Sequence, residues 1–148
     1  MRRDGERARN NVALVRRMYE LFGSGELDFL QREVFAPDVV WTRPGHNPTG
    51  GVRQGPDEVI SLFAGLSATG VSVELVRADA WGDDTVLEVH RVRGESREVL
   101  LDVFDCARYR VRDARIAEVR VYTSDQHAVD TYFWTAYDLA PRSDRWTG

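Results

Sequence analysis

From Leu101 to Tyr122 apolar and polar side chains alternate through two strand-length runs that meet at Arg112-Asp113-Ala114-Arg115. A period of two on both sides of a short turn dictates an antiparallel hairpin, and a hairpin with one apolar face must find a second layer to cover it. Two further runs precede it, Val71 to Trp81 and Thr85 to Arg93, with Gly82-Asp83-Asp84 and Gly94-Glu95-Ser96 as the intervening turn signals. The covering layer comes from the N-terminal half. Val12, Leu14, Val15, Met18, Tyr19, Leu21 and Phe22 recur at helical spacing and predict a helix over Asn11 to Phe22 that Gly23 and Gly25 stop. A second short helix is expected over Leu27 to Phe35, ended by Pro37. Val39 to Arg43 then has strand composition, and Pro56 is placed to open a third helix, Asp57 to Leu66. Helices first and antiparallel strands after them predict an α+β domain.

A chain of 148 residues is the size of one domain, so a single domain over 1–148 is expected, with 1–9 and 137–148 as peripheral tails. Every one of the 20 basic residues is an arginine, yet they are scattered and the formal charge is −4. No basic stripe is available for phosphates, so nucleic acid is excluded as a partner. The one cysteine, Cys106, excludes an internal disulfide and a cysteine metal cluster. No apolar run reaches membrane-spanning length, and the charged opening MRRDGERARN has no signal-like core, so we expect no membrane partner and a cytoplasmic protein.

Strand parity then selects the interior. On the first strand of the hairpin Val103, Asp105, Ala107, Tyr109 and Val111 oppose Phe104, Cys106, Arg108 and Arg110, and the charged set belongs in water. That leaves Asp105 on an apolar wall. Desolvation disfavours the charged form of such a carboxylate, which suits it to proton transfer, although a satisfied polar core accounts for it equally well. On the preceding strand the face carrying Glu88 and His90 is taken as inner, because the other choice buries Arg91 and Arg93. Thr123 and Asp125 share the inner parity of the last strand, with helix capping the stronger role for Asp125. The breaker-rich loop Pro44 to Gly51 places His46 at a rim, and Trp41, Phe63 and Tyr109 offer flat apolar surface. His46, His90 and His127 lack the i, i+4 spacing of a metal pair, so neither a metal nor another cofactor is expected.

The segment RIAEVRVY, Arg115 to Tyr122, the helix Asn11 to Phe22, VFAPDVVW, Val34 to Trp41, and GGVRQGPDEVISLF, Gly50 to Phe63, together resemble SnoaL-like proteins. That family is the polyketide-cyclase and ketosteroid-isomerase branch of the nuclear transport factor 2-like superfamily. The resemblance implies a cone-shaped barrel, a curved and mostly antiparallel sheet packed on N-terminal helices around a pocket, and a homodimer formed through the sheet. It implies catalysis less clearly, because the acid/base aspartate of the cyclases falls on Val121 and its histidine partner on Ala107. The isomerase base falls on Arg43, and the positions of the epoxide-hydrolase-like triad fall on His90, Val92 and Val121.

Two readings follow. One is an enzyme without cofactor that cyclises, isomerises or dehydrates a hydrophobic polyketide- or terpenoid-like molecule. Asp105 would act as base, His90 as acid or orienting group and Arg43 as the stabiliser of an enolate, with Trp41, His46, Phe63, Glu88, Tyr109, Thr123 and Asp125 around the substrate. The other is a binding protein with the same pocket and no chemistry.

Overall fold

A computed structural model describes residues 2–137. Helix α1 (Arg2–Gly23) is followed by a single turn α2 (Leu27–Phe29) and a π-helical turn, Leu30–Val34. Then come strands β1 (Phe35–Arg43) and β2 (Gly51–Gln54), helix α3 (Pro56–Ala68), strands β3 (Ser72–Ala80), β4 (Thr85–Ser96), β5 (Val99–Arg112) and β6 (Arg115–Thr123), and helix α4 (Gln126–Ala136). The six strands form one curved sheet in the order β2-β1-β6-β5-β4-β3, antiparallel throughout except where β1 runs parallel to β6. This is the expected α+β cone.

Several local expectations are corrected. Residues 2–9 are not a tail, because α1 already begins at Arg2. Of the tail expected at 137–148, Tyr137 caps the end of α4 and the remainder lies outside the described residues. Pro37 does not end a helix: it sits inside β1, where the pairing with β6 slips between Phe35 and Val40, so its missing N–H breaks no regular ladder. The Gly94-Glu95-Ser96 turn moves to Arg97 and Glu98, whose φ angles of 48° and 69° are left-handed, and Gly94 stays within β4. The hairpin turn at Asp113 and Ala114, φ 52° and 61°, falls where the alternation places it.

Gly94 is needed for a packing reason. A β-carbon there would overlap the Tyr132 hydroxyl and ring carbon, and that hydroxyl donates to the Thr69 carbonyl at 3.0 Å, joining α4 to the end of α3. Gly94→Ala is expected to lower stability by about 1–3 kcal/mol through overpacking, with part of the loss recovered in Gly94→Ala/Tyr132→Phe, as thermal melts will show.

Parity assigns the sheet faces as expected. On β5 the odd positions Val103, Asp105, Ala107 and Tyr109 are buried under the helices, and Val119 and Val121 on β6 join them. Trp41 stacks edge-on against Phe63, ring centroids 5.0 Å apart, and Phe35 and Tyr109 close around Trp41 at 6.2 Å each. On the outer face Arg91 is held by both carboxylate oxygens of Asp102 at 2.8 and 2.7 Å, and Arg108 donates to Glu118 at 2.9 Å. Leu87, Phe104 and Tyr122 are exposed between them.

Candidate functional site

The polar groups of the interior meet because of strand register. Glu88 and His90 lie two residues apart on one face of β4, and Asp105 on β5 is the direct partner of His90. Tyr109 follows Asp105 on the same face, and α1 lays Tyr19 over all of them. His90 Nδ1 is 2.8 Å from Glu88 Oε1, while its Nε2 faces Asp105 Oδ2 at 3.6 Å, an ion-pair contact longer than a hydrogen bond. The Tyr19 hydroxyl donates to Glu88 Oε2 at 2.7 Å and lies 3.4 Å from the Tyr109 hydroxyl. Glu88, His90 and Asp105 are all buried.

Burial works against a charge on His90, but its interactions with Asp105 and Glu88 outweigh that and hold its pKa up at about 9. The ring is therefore an imidazolium at neutral pH, flanked by two carboxylates, which suits it to orient or donate and unsuits it as a base. Burial first, then the neighbouring Tyr109 and Glu88, raise the Tyr19 phenol well above its ordinary value. These phenols act as neutral donors.

The charged ring has a consequence for stability. Its folded pKa of about 9 exceeds the ordinary value near 6.5, so its contribution is complete below about pH 6.5 and is lost as the pH rises through 9. Chemical denaturation is expected to show stability falling by up to about 3 kcal/mol across that window. His90→Gln should remove the slope.

Two polar side chains enter from β1. Trp41 is buried and Arg43 half-buried, both beside the cavity. Burial lowers the Arg43 pKa from its ordinary value, against the opposing pull of the Asp105 charge. Arg43 Nε, Trp41 Nε1 and Asp105 Oδ1 are buried atoms without a hydrogen-bond partner among the described residues. Native interiors rarely leave such groups unpaired.

Trp41 and Arg43, though not Asp105, border a cavity of about 50 Å³. Arg43, His90 and Tyr19 supply its polar wall; Met18, Phe22, Trp41, Phe63, Leu66, Val73, Val121 and Phe133 supply the rest. Ligand sites are commonly several hundred Å³, so a ring-sized guest requires the half-buried Phe22 and the adaptable Met18 to swing outward. A larger groove of about 1070 Å³ lies elsewhere, bordered by Arg7, Asp38, Asp83, Arg112 and Glu118. Three of the arginines along it are ion-paired to neighbouring acids, Arg7 with Asp83 at 3.5 Å, Arg110 with Asp84 at 3.7 Å and Arg112 with Asp38.

The structure therefore brings together Asp105, His90, Glu88, Tyr109, Arg43, Trp41 and Phe63. It does not bring in His46, which is exposed and whose carbonyl accepts from Trp134 Nε1 at 2.5 Å. Asp125 is exposed and caps α4, accepting from the Ala128 N–H at 3.0 Å, because the strand ends before its parity can carry it inward. Thr123 stands opposite Asp105 in the sheet but does not border the cavity; its hydroxyl lies 3.4 Å from the Asp125 N–H. Tyr19 escaped the sequence reading, where it counted as one more apolar helix position. A phenol among aliphatic residues on a buried helix face is the signal that could have found it. Among the described residues no group of histidine, cysteine and acidic side chains is arranged to hold a metal ion.

A family model described as a SnoaL-like domain matches residues 15–119. The chain belongs to the SnoaL-like family. Its fold matches Bal32a from a soil-derived mobile gene cassette at 26% identity and TM-score 0.80, covering 86% of this chain and 98% of that one. A putative SnoaL-like polyketide cyclase from Jannaschia sp. CCS1 matches at 22% identity and TM-score 0.70, covering 85% and 92%. TerC co-crystallised with polyporic acid matches at 16% identity and TM-score 0.72, covering 84% and 98%. A search of curated proteins finds no match. Within this SnoaL-like chain, Val121 and Ala107, the positions to which the sequence resemblance assigns the cyclases' acid/base pair, are buried apolar neighbours across the β5–β6 pairing.

Proposed function

We propose that this SnoaL-like chain is an enzyme without cofactor that moves a proton on an enolisable, hydrophobic small molecule, in a cyclisation, isomerisation or dehydration of a polyketide- or terpenoid-like substrate. The observation that carries the reading is Asp105, a buried carboxylate with one oxygen toward His90 and the other unpaired near Arg43. Asp105 Oδ1 takes the proton from the carbon beside a carbonyl, forming an enolate as the C–H pair becomes a C=C bond and the carbonyl π pair moves onto oxygen. Arg43 and Trp41 donate to that oxygen, and the His90 imidazolium stabilises the Asp105 carboxylate while it waits. Polyporic acid in the structurally similar TerC supports a flat, oxygenated guest.

A binding protein is the second reading, favoured by one observation: the Tyr19–Glu88–His90 bonds are complete in themselves, as a purely structural network would be. Incubation of aryl ketones in D₂O separates the two. An enzyme exchanges the α-protons of the bound ketone, followed by NMR; a binder shifts protein resonances and leaves the ketone undeuterated.

We further propose one domain spanning 1–148, working in the cytoplasm as a homodimer joined through the outer face of the sheet. Exposed Leu87, Phe104 and Tyr122, with the exposed thiol of Cys106 between them, support both the pairing and a reducing compartment. Light scattering after size exclusion should give twice the chain mass, and Phe104→Glu should return it to the monomer value. A monomer mass for the unaltered protein would contradict the dimer.

A further inference from the structure

We infer that the hydrophobic guest of this cavity carries a carboxylate, which the outer end of the Arg43 guanidinium receives, an inference that rests on the reading of this cavity as the ligand site. The argument is one of charge. Arg43 stands in the cavity wall with Phe63, Leu66, Val121 and Phe133, and no hydrogen bond or ion pair joins its guanidinium to any described residue. On the outer face of the sheet Arg91, Arg108 and Arg112 each hold an acid. The chain pairs arginines where pairing is worth little and leaves unpaired one that burial makes costly.

The two charges near Arg43 do not supply the missing partner. Asp105 pulls on it, but Asp105 Oδ2 is turned to His90 at 3.6 Å and Oδ1 makes no bond, so Asp105 and Arg43 form no ion pair. Arg53 on β2 acts the other way and lowers the Arg43 pKa beyond what burial does. It is fixed by the carbonyls of Pro48, Thr49 and Gly50, and the acid beside it, Glu58, is exposed and accepts from the Gln54 N–H at 2.6 Å. Two arginines set near one another with no acid bridging them make a place for an anion.

A neutral guest can accept from the N–H groups but leaves the charge uncompensated. Phosphate or sulfate asks for donors on several sides, whereas apart from His90 and Tyr19 the rest of the wall is apolar. A carboxylate asks for one planar fork, and the two Nη groups of a guanidinium match its oxygens in parallel. Arg43 is half-buried, so that end stays within reach of a guest, while the buried Nε–H is left for the carbonyl oxygen of the proposed reaction. The substrate class is then an oxo acid with an apolar body.

The test uses 3-benzoylpropionate and 3-benzoylpropionamide, one skeleton with and without the charge. Titrations followed by protein NMR are expected to show the acid binding at the cavity about tenfold or more tighter than the amide. Arg43→Met should bring the two to equal affinity, and Arg43→Lys, which keeps the charge without the fork, should keep part of the preference. The lysine variant also serves if Arg43→Met does not fold. Deuterium entering beside the ketone in the same samples tests the proton transfer and is scored separately from affinity. Equal affinities in the unaltered protein, a tighter amide, or a preference that survives Arg43→Met would overturn the carboxylate assignment and leave the cavity as a ligand site. Binding of neither probe within the cavity would overturn the ligand-site reading, and this inference with it.

Discussion

His90→Leu is expected to cost about 3–5 kcal/mol and to lower the melting temperature by roughly 10 °C or more, because removing one partner of a buried ionic cluster leaves the others charged and unpaired. Glu88 loses its 2.8 Å contact and Asp105 its 3.6 Å contact at once, and Tyr19 can compensate only Glu88. The loss should be larger at pH 6 than at pH 9, since the stabilisation supplied by the imidazolium fades over that window. His90→Leu combined with Glu88→Gln and Asp105→Asn should recover much of the stability. A small effect of His90→Leu, independent of pH, would mean that the cluster is wet and the cavity floor solvated.

Asp105→Asn is expected to slow the exchange of ketone α-protons by about a hundredfold or more, with the fold and ketone affinity largely kept. The amide preserves the shape beside His90 but has no basic oxygen to take a proton. Arg43→Met should also slow exchange, by weakening the stabilisation of the enolate oxygen, while raising the ketone concentration needed for half-maximal rate. Asp105→Asn with an unchanged rate would remove the proposed base.

The inner face of the sheet was legible because strand alternation is strict: a single choice of parity buried Asp105, Glu88 and His90 together and left Arg91, Arg93 and Arg110 toward solvent. Alternation alone put Glu88 beside His90, but the pairing of His90 with Asp105 depends on the β4–β5 register, which is set by the turn at Arg97 and Glu98 and was not readable from the Gly94-Glu95-Ser96 signal. Tyr19 went unread because periodicity scores its ring as apolar and is blind to its hydroxyl. The same blindness hid Trp41 as a donor. Gly94 looked like a turn residue because a contact with Tyr132, far along the chain, is invisible to local composition. Asp125 shows the reverse: its parity was right for the interior, but helix α4 began first and took its side chain as a cap.

The most direct test of the account is a crystal structure of the protein soaked with propiophenone, a plain aryl ketone. The account predicts the phenyl ring against the apolar wall of Trp41 and Phe63, the carbonyl oxygen within hydrogen-bond distance of Arg43 Nε and the acidic carbon facing Asp105 Oδ1, with Phe22 or Met18 displaced to make room. A ligand seated instead in the ion-paired groove beside Arg112 and Glu118, with the interior cavity closed, would contradict it.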